Sequence, residues 1–319
     1  MTNILIVGIG GVGGYFGSLL SHTFEKSNRA TIHFMARGQN LSAIQSRGIH
    51  IKSLQGEFTT FPTKVSDDPR AFGQVDYIIL CTKSYDIEET IQQLRPTVSK
   101  NTVFLPLLNG VDSSARIQSI FPDNLVAEGC ANIISRLTAP GVIENFSTFQ
   151  TIRFGVQGSV PPQLKVLGDL FEEAGIDVHL TDRIWSAIWE KFIFISSAAT
   201  ATSYHNKTFG QIKENTAYRA DLEKLTDEIC LLAQAKLIDV PENIKERVLQ
   251  LFDNAPPEST TSMHADFLRQ KGKTEVESLT GYVVKEGERY GLDLPTYRKM
   301  YIYLSNPNLA HTYTGYRKA

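Results

Sequence analysis

The 319-residue sequence has little of what marks several large protein classes. Its three cysteines (Cys81, Cys130 and Cys230) are far apart and odd in number. That excludes a disulfide framework and a Cys-x-x-Cys zinc site, and it fits a reducing compartment. Charge of neither sign dominates: 32 basic residues against 34 acidic ones leave a formal net charge of -2. Such a balance gives no electrostatic footprint for nucleic acid or an anionic membrane surface. No apolar run approaches the roughly 18 residues of a membrane-spanning helix. The start, MTNILIVGIGGVGGYFGSLL, has no basic leading region and carries six glycines, unlike a secretory signal. The expectation is a soluble, cytoplasmic protein with no nucleic-acid or membrane partner. The seven histidines show no His-x-x-x-His spacing, so no metal is expected. No Gly-x-Ser-x-Gly elbow occurs, which argues against a serine-nucleophile hydrolase.

What is present divides the chain in two, as about 150 residues per domain would suggest. From Asn3 to about Thr181, short β-rich runs alternate with helical segments. Strands are expected over Ile4–Val7, Thr31–Met35, Asp76–Cys81, Thr102–Leu105 and Leu125–Ala127. Helices are expected over 12–26, 41–47, 87–95 and 163–174, with a closing strand over 177–180. This alternation implies βαβ units and a mostly parallel, doubly wound sheet. Pro140-Gly141 separates two alternating runs and reads as a hairpin. The second half reads as helices over 184–203, 217–235, 243–252, 262–269 and 276–290, with prolines between them. The expected domains are 1–182 and 183–319, and the last 15 residues are expected to form a loosely held polar tail.

The first chemical signal is Gly8-Ile9-Gly10-Gly11-Val12-Gly13, a GxGxxG turn between an apolar strand and a helix. In that context its glycines allow a tight turn, close approach to a pyrophosphate, and close helix–strand packing. The helix N-terminus offers free N–H groups and partial positive charge to the phosphates. The second strand ends in Met35-Ala36-Arg37-Gly38, and no carboxylate lies between Lys26 and Arg47. NAD sites place Asp or Glu there for the ribose 2′-hydroxyl. Arg37 suits a 2′-phosphate instead, so NADP(H) is the expected cofactor.

Further motifs follow in one order: Thr82-Lys83, Asn109-Gly110, Trp189-Glu190-Lys191, Ser262-Met263 and Thr274-Glu275. In this order and at these spacings the sequence resembles the ketopantoate reductase (2-dehydropantoate 2-reductase) family, from Ile4 to about Pro295. The resemblance implies a Rossmann-type N-terminal domain and an all-helical, 6-phosphogluconate-dehydrogenase-like C-terminal domain. It implies NADPH-dependent reduction of a 2-keto acid bound in the cleft between them, in pantothenate and coenzyme A biosynthesis. By the same resemblance Lys191 is the proton donor, and Lys83 and Asn109 contact the cofactor, with Asn109 also touching substrate. Ser262, with Ser259, Thr260 and Thr261 beside it, binds the substrate carboxylate. Glu275 lies against the cofactor and supports the active-site network, and a backbone contact to the cofactor falls near Ser135. The residue types make chemical sense, because a lysine ammonium can stabilise the oxygen of a ketone under hydride attack and protonate it.

Taken singly, several of these residues have plainer readings. A helical lysine is usually a solvated charge, Glu275 alone suggests a surface helix, and Asn109-Gly110 alone suggests a turn. Trp185 and Trp189, four apart, are expected to pack together, and Cys81 is expected to be a buried thiol. The substrate half also departs from the family pattern. Asparagines four and eight residues after the catalytic lysine are replaced by Ile195 and Ala199. Ser196 and Ser197 lie beside Ile195 but out of phase on the helix, Phe209 precedes Gly210 where an asparagine is usual, and one extra residue separates Asp266 from Glu275. These changes leave two alternatives to ketopantoate reduction: a related NADP-dependent hydroxyacid dehydrogenase, or a non-catalytic NADP(H)-binding regulator. The apolar helical half is the candidate surface for a homodimer.

Overall fold

The computed structural model describes residues 1–306. They fall into two compact units: Met1–Leu108 with Asp112–Ile184, and Asn109–Val111 with the chain from Trp185 onward. The first unit contains β1 (Thr2–Val7), α1 (Gly11–Phe24), β2 (Ala30–Met35), α2 (Gly38–Arg47), β3 (Ile49–Ser53), β4 (Gly56–Thr60), β5 (Lys64–Ser66), β6 (Tyr77–Leu80), α3 (Ile87–Gln93), β7 (Val103–Pro106), α4 (Ser113–Ile120), β8 (Glu128–Asn132), β9 (Ser135–Ala139), β10 (Val142–Asn145), β11 (Thr151–Gly155), α5 (Pro162–Glu173) and β12 (Asp177–Thr181).

β1 shows why this half folds as it does. Ile4 and Ile6 enter one core while Leu5 and Val7 enter another, so the strand is buried on both faces. Such a strand must lie inside a sheet covered by helices on both sides. β1 sits at the centre of an all-parallel five-stranded sheet, β5-β2-β1-β6-β7. Tyr15, Phe16 and Leu20 of α1 and Leu164 and Phe171 of α5 pack in the Ile4 core. Ile87 and Ile91 of α3 and Ile117 of α4 pack in the Leu5 core. The order of strands reverses between β1 and β6, and a ligand crevice forms where strands end at such a switch.

A four-stranded sheet, β4-β3-β10-β9, covers α1 from outside, with Ile143 packed against Gly14. The hairpin around Pro140-Gly141 is its β9–β10 pair, which is antiparallel. A three-stranded sheet, β12-β11-β8, completes the unit. The strand expected over Leu125–Ala127 is only an isolated bridge between Phe104 and Val126. β3 and β4 are short strands beyond those expected from the sequence: β3 alternates buried Ile49 and Ile51 with less buried His50 and Lys52, whereas β4 has Phe58 as its one large apolar residue.

The second unit contains α6 (Ile184–His205), α7 (Phe209–Glu214), α8 (Thr216–Ala235), α9 (Ile244–Asn254), α10 (Ser262–Leu268), a π-helical turn (Glu277–Gly281) leading into α11 (Tyr282–Arg289), and α12 (Pro295–Leu304). Its core includes Phe192, Leu225, Ile229, Val283 and Tyr297. Pro295, read as punctuation, starts α12, since proline fits the first turn of a helix. Glu228 of α8 caps that helix, accepting from the Thr296 and Tyr297 N–H groups at 2.8 Å each. Trp189 does not stack on Trp185. It packs edge-on against Phe192 and Tyr282, while Trp185 is 43% exposed. The expected tail lies almost wholly outside the described residues.

Candidate active site

The glycine turn sits where β1 ends, at the switch point of the sheet. Gly8 has φ +93°, and a Cβ there would lie 2.7 Å from the Thr82 nitrogen at the end of the neighbouring strand. Only glycine accepts both that φ and that approach without strain. At Gly11 a Cβ would lie 2.2 Å from the Ser135 carbonyl oxygen, so β9 closes directly over the first turn of α1. At Gly13 it would lie 2.4 Å from the Gly8 oxygen, which brings the helix close to the strand. Gly10 differs from these, with nothing within 4 Å of its Cβ position. It is the N-cap of α1 and offers no side-chain cap, which leaves the first N–H groups of the helix to an outside acceptor.

Two hydroxyls border this turn. The Ser135 Oγ and the Thr82 Oγ1 are buried with no hydrogen-bond partner among the described residues. Buried hydroxyls are normally paired. An open space at Gly10, uncapped N–H groups and two orphaned hydroxyls fit a phosphate-bearing group. Ile9 is anchored by Asn40, whose Nδ2 donates to the Ile9 carbonyl at 3.0 Å while its Oδ1 accepts from the Gly141 N–H at 2.8 Å. Sequence reading missed Asn40, because its partners lie 31 and 101 residues away.

Arg37 is exposed at the N-cap of α2, and its guanidinium donates to Gln93 Oε1 of α3 at 2.8 Å. Lys83 is half-buried at the mouth of a short turn after β6. Arg116 of α4 holds this segment, donating to the Ser84 carbonyl at 2.8 Å and forking onto both oxygens of Glu88 at 2.6 Å. Arg116 is a second residue that the motifs did not reveal. Cys81, between strand and Lys83, is an inert thiol, and burial pushes it up to about 12. Asn109 is half-exposed after β7 and groups with the second unit, ahead of Gly110 at φ +104°.

Lys191 and Glu275 both belong to the second unit. Lys191 is half-buried on α6, in a stretch where Trp189, Phe192 and Ile193 are buried. Glu275 is not the surface residue its type suggests: it is 2% exposed, just ahead of the π-helical turn. Burying a carboxylate is costly without compensation, and such groups concentrate at functional sites. Ser196 and Ser197 do not take the place of the missing asparagines. Both are fully buried: Ser196 bonds Leu279 and Tyr297, and Ser197 bonds back to the Ile193 carbonyl at 2.7 Å. Phe209 lies in the core against Phe252, and Gly210 lets α7 close on Pro257.

In the segment 259–262, three of the four hydroxyls are engaged within the protein. Ser259 donates to the Pro256 carbonyl at 2.6 Å, and Thr260 pairs with His264 Nδ1 at 2.6 Å. Thr261 caps α10 and pairs with Thr202 at 2.9 Å. Ser262 is exposed in the first turn of α10. His264 itself is buried, with its Nε2 2.9 Å from Asn206 Oδ1, and burial pulls its pKa down to about 4. Among the described residues no group of three or more His, Cys, Asp or Glu is arranged to hold a metal.

Known proteins share this architecture along nearly the whole chain. Residues 4–158 match the family model "Ketopantoate reductase PanE/ApbA", and residues 183–306 match its C-terminal counterpart. The chain is similar to the crystal structure of 2-dehydropantoate 2-reductase from Porphyromonas gingivalis W83, at 34% identity and TM-score 0.83 over 96% of this chain and 99% of that one. It is 27% identical to 2-dehydropantoate 2-reductase of Aquifex aeolicus (strain VF5), over 93% of this chain and 94% of the relative. It is also 27% identical to an uncharacterized oxidoreductase, YkpB, of Bacillus subtilis (strain 168), over 93% of this chain and 96% of the relative. Both halves match, around a glycine turn at the sheet's switch point and a buried glutamate in the helical unit, and the chain belongs to the ketopantoate reductase family.

Proposed function

We propose that the protein is an NADPH-dependent 2-oxoacid reductase whose first candidate substrate is 2-dehydropantoate, reduced to pantoate in pantothenate and coenzyme A biosynthesis. One observation carries the catalytic part: a carboxylate, Glu275, buried to 2% exposure in the same helical unit as the half-buried Lys191. A non-catalytic cofactor sensor would need neither group, so their burial favours an enzyme over a regulator.

The residues of the glycine turn, with Ser135 and Lys83, would hold the pyrophosphate of a nicotinamide dinucleotide. Arg37 would pair with a 2′-phosphate, and Asn109 and Glu275 would border the nicotinamide end. The bound cofactor supplies a hydride to the carbonyl carbon of the substrate. Negative charge then develops on the carbonyl oxygen, where the Lys191 ammonium stabilises it and delivers a proton. Glu275 orients and polarises that ammonium. Ser262 receives the substrate carboxylate, and Ser259, Thr260 and Thr261 shape the turn that presents it.

The apolar positions Ile195 and Ala199 favour a second substrate reading. They follow Lys191 at intervals of four and so lie on its face of α6. A 2-oxo acid with an aliphatic side chain and no hydroxyl suits that face better than ketopantoate does. The reading also includes a cytoplasmic homodimer, which sedimentation can test.

The deciding assay follows NADPH absorbance with ketopantoate and with a panel of aliphatic 2-oxo acids. Lys191→Ala is expected to lower kcat by about 10²–10⁴-fold while NADPH still binds. Turnover of the aliphatic acids alone establishes the second reading. NADPH binding without turnover of any acid overturns both in favour of the regulator.

A further inference from the structure

The π-helical turn starts two residues after Glu275, and the reaction chemistry alone does not account for its contacts. Such turns are rare and concentrate at functional sites. On its outer side Glu277 accepts from the Tyr301 hydroxyl at 2.7 Å and pairs with Lys285 at 2.6 Å. Its inner side is held by α6, the helix that carries Lys191. The Ser196 hydroxyl donates to the Leu279 carbonyl at 3.1 Å, and the Thr200 and Thr280 hydroxyls pair at 2.8 Å. Ser196, Thr200 and Thr280 are all fully buried.

Ser196 has one proton, and it goes to Leu279. The Tyr297 hydroxyl, 2.8 Å away, therefore donates to Ser196. Tyr297 is itself fixed through its backbone N–H by Glu228. The result is a buried chain, Tyr297 to Ser196 to the Leu279 carbonyl, that fixes the π turn relative to α6. Apolar side chains would fill the same space without desolvating hydroxyls. Hydrogen bonds add direction, and with it a single register between the two elements. Ser196 lies five residues after Lys191, and Leu279 lies four after Glu275.

We infer that Ser196 and Thr200 are positioning residues that lock the π turn to α6 and so hold the Glu275 carboxylate in one setting relative to the Lys191 ammonium. The inference rests on the proposed roles of Lys191 and Glu275. It also explains why hydroxyls stand one residue out of phase with Ile195 and Ala199 on α6: they face the π turn instead.

The test compares the full-length protein with Ser196→Ala/Thr200→Val, Thr200→Val alone and Thr200→Ser. In the double variant kcat is expected to fall about 10- to 100-fold, with the KM for NADPH nearly unchanged. The alkaline limb of the pH–rate profile and the Lys191 13Cε resonance are both expected to move. Thr200→Ser, which keeps the hydroxyl, is expected to restore both relative to Thr200→Val. An unmoved limb and resonance in a folded variant overturn the inference. Should the double variant fail to fold, the Thr200→Val and Thr200→Ser pair decides by the same readouts. Should the parent protein reduce no 2-oxo acid, the functional reading falls, while the Lys191 resonance still decides the positioning.

Discussion

Two helix N-termini in this chain are built from different residues and behave differently. α1 begins at Gly10 with no side-chain cap, and open space surrounds the Cβ position there. α10 begins at Thr261, whose hydroxyl accepts from the His264 N–H and also pairs with Thr202. At α1 the backbone donors are left for a ligand. At α10 the protein satisfies its own end, and the exposed side chain of Ser262 beside it is the one to which the proposed function gives the substrate carboxylate. A glycine-rich start points to recognition by backbone, and a Ser/Thr-rich start points first to self-capping.

Substitutions inside the glycine turn break this comparison most severely. Gly11→Ala sets a methyl 2.2 Å from the Ser135 carbonyl, and that backbone cannot yield cheaply. A destabilisation of about 3 kcal/mol is expected, read as a drop in unfolding temperature. Gly10→Ala meets nothing within 4 Å and has φ -98°, so stability should stay within about 0.5 kcal/mol. Its NADPH affinity should nevertheless fall by roughly 10-fold or more, because the methyl occupies the approach a pyrophosphate needs. Equal NADPH affinity in Gly10→Ala would remove the phosphate assignment.

The same contrast explains what the sequence made legible. Phosphate recognition depends on backbone spacing within six consecutive residues, so Gly8–Gly13 could be read directly. The parallel sheet was legible because β1, β6 and β7 are apolar on both faces. The helical unit is held by hydrogen bonds between residues far apart in sequence. Ser196 and Leu279 are 83 residues apart, and Asn206 and His264 are 58 apart. No local pattern encodes such pairs. For the same reason the π turn was hidden in what reads as one continuous helix, and Glu275 read as exposed until its neighbours were in place.

The α10 end can be tested by pH. His264 has its pKa lowered to about 4 in the folded chain, by desolvation, from an ordinary value of 6.5. Between those values the unfolded chain binds more protons than the folded one, so stability rises with pH. Stability is therefore lost as pH falls from 6.5 towards 4, and the contribution levels off below that. The full change is on the order of 3 kcal/mol. His264→Gln, which keeps a polar side chain near Thr260 and Asn206, should flatten this part of the unfolding-temperature profile. A profile as steep as the parent's would place the titrating group elsewhere.

Arg37 offers a smaller effect on the α1 side. Its guanidinium already leans on Gln93 at 2.8 Å, so it is partly ordered at the end of β2. Arg37→Asp replaces the proposed 2′-phosphate partner with a group suited to a 2′-hydroxyl and adds charge repulsion against a 2′-phosphate. The NADPH-to-NADH preference in kcat/KM should move towards NADH by about 10- to 100-fold. An unchanged ratio would show that the cofactor's adenosine end lies away from Arg37.

Ile195→Asn sharpens the comparison by adding a directional polar group one turn after Lys191 on α6. Ile195 is only half-buried, so an asparagine can be accommodated there, whereas Ala199 is 2% exposed and has no room for the added volume. With a hydroxylated 2-oxo acid bound, the new amide finds a partner. With an aliphatic acid it stays desolvated and unpaired, at a cost of about 1–3 kcal/mol. The kcat/KM ratio of ketopantoate to an aliphatic 2-oxo acid of similar size should therefore rise by roughly 10-fold. Because the change penalises one substrate and assists the other, the ratio is more informative than either rate. A constant ratio with intact turnover would mean that the face of α6 carrying Ile195 does not border the substrate side chain, and that the apolar substitutions there serve packing alone.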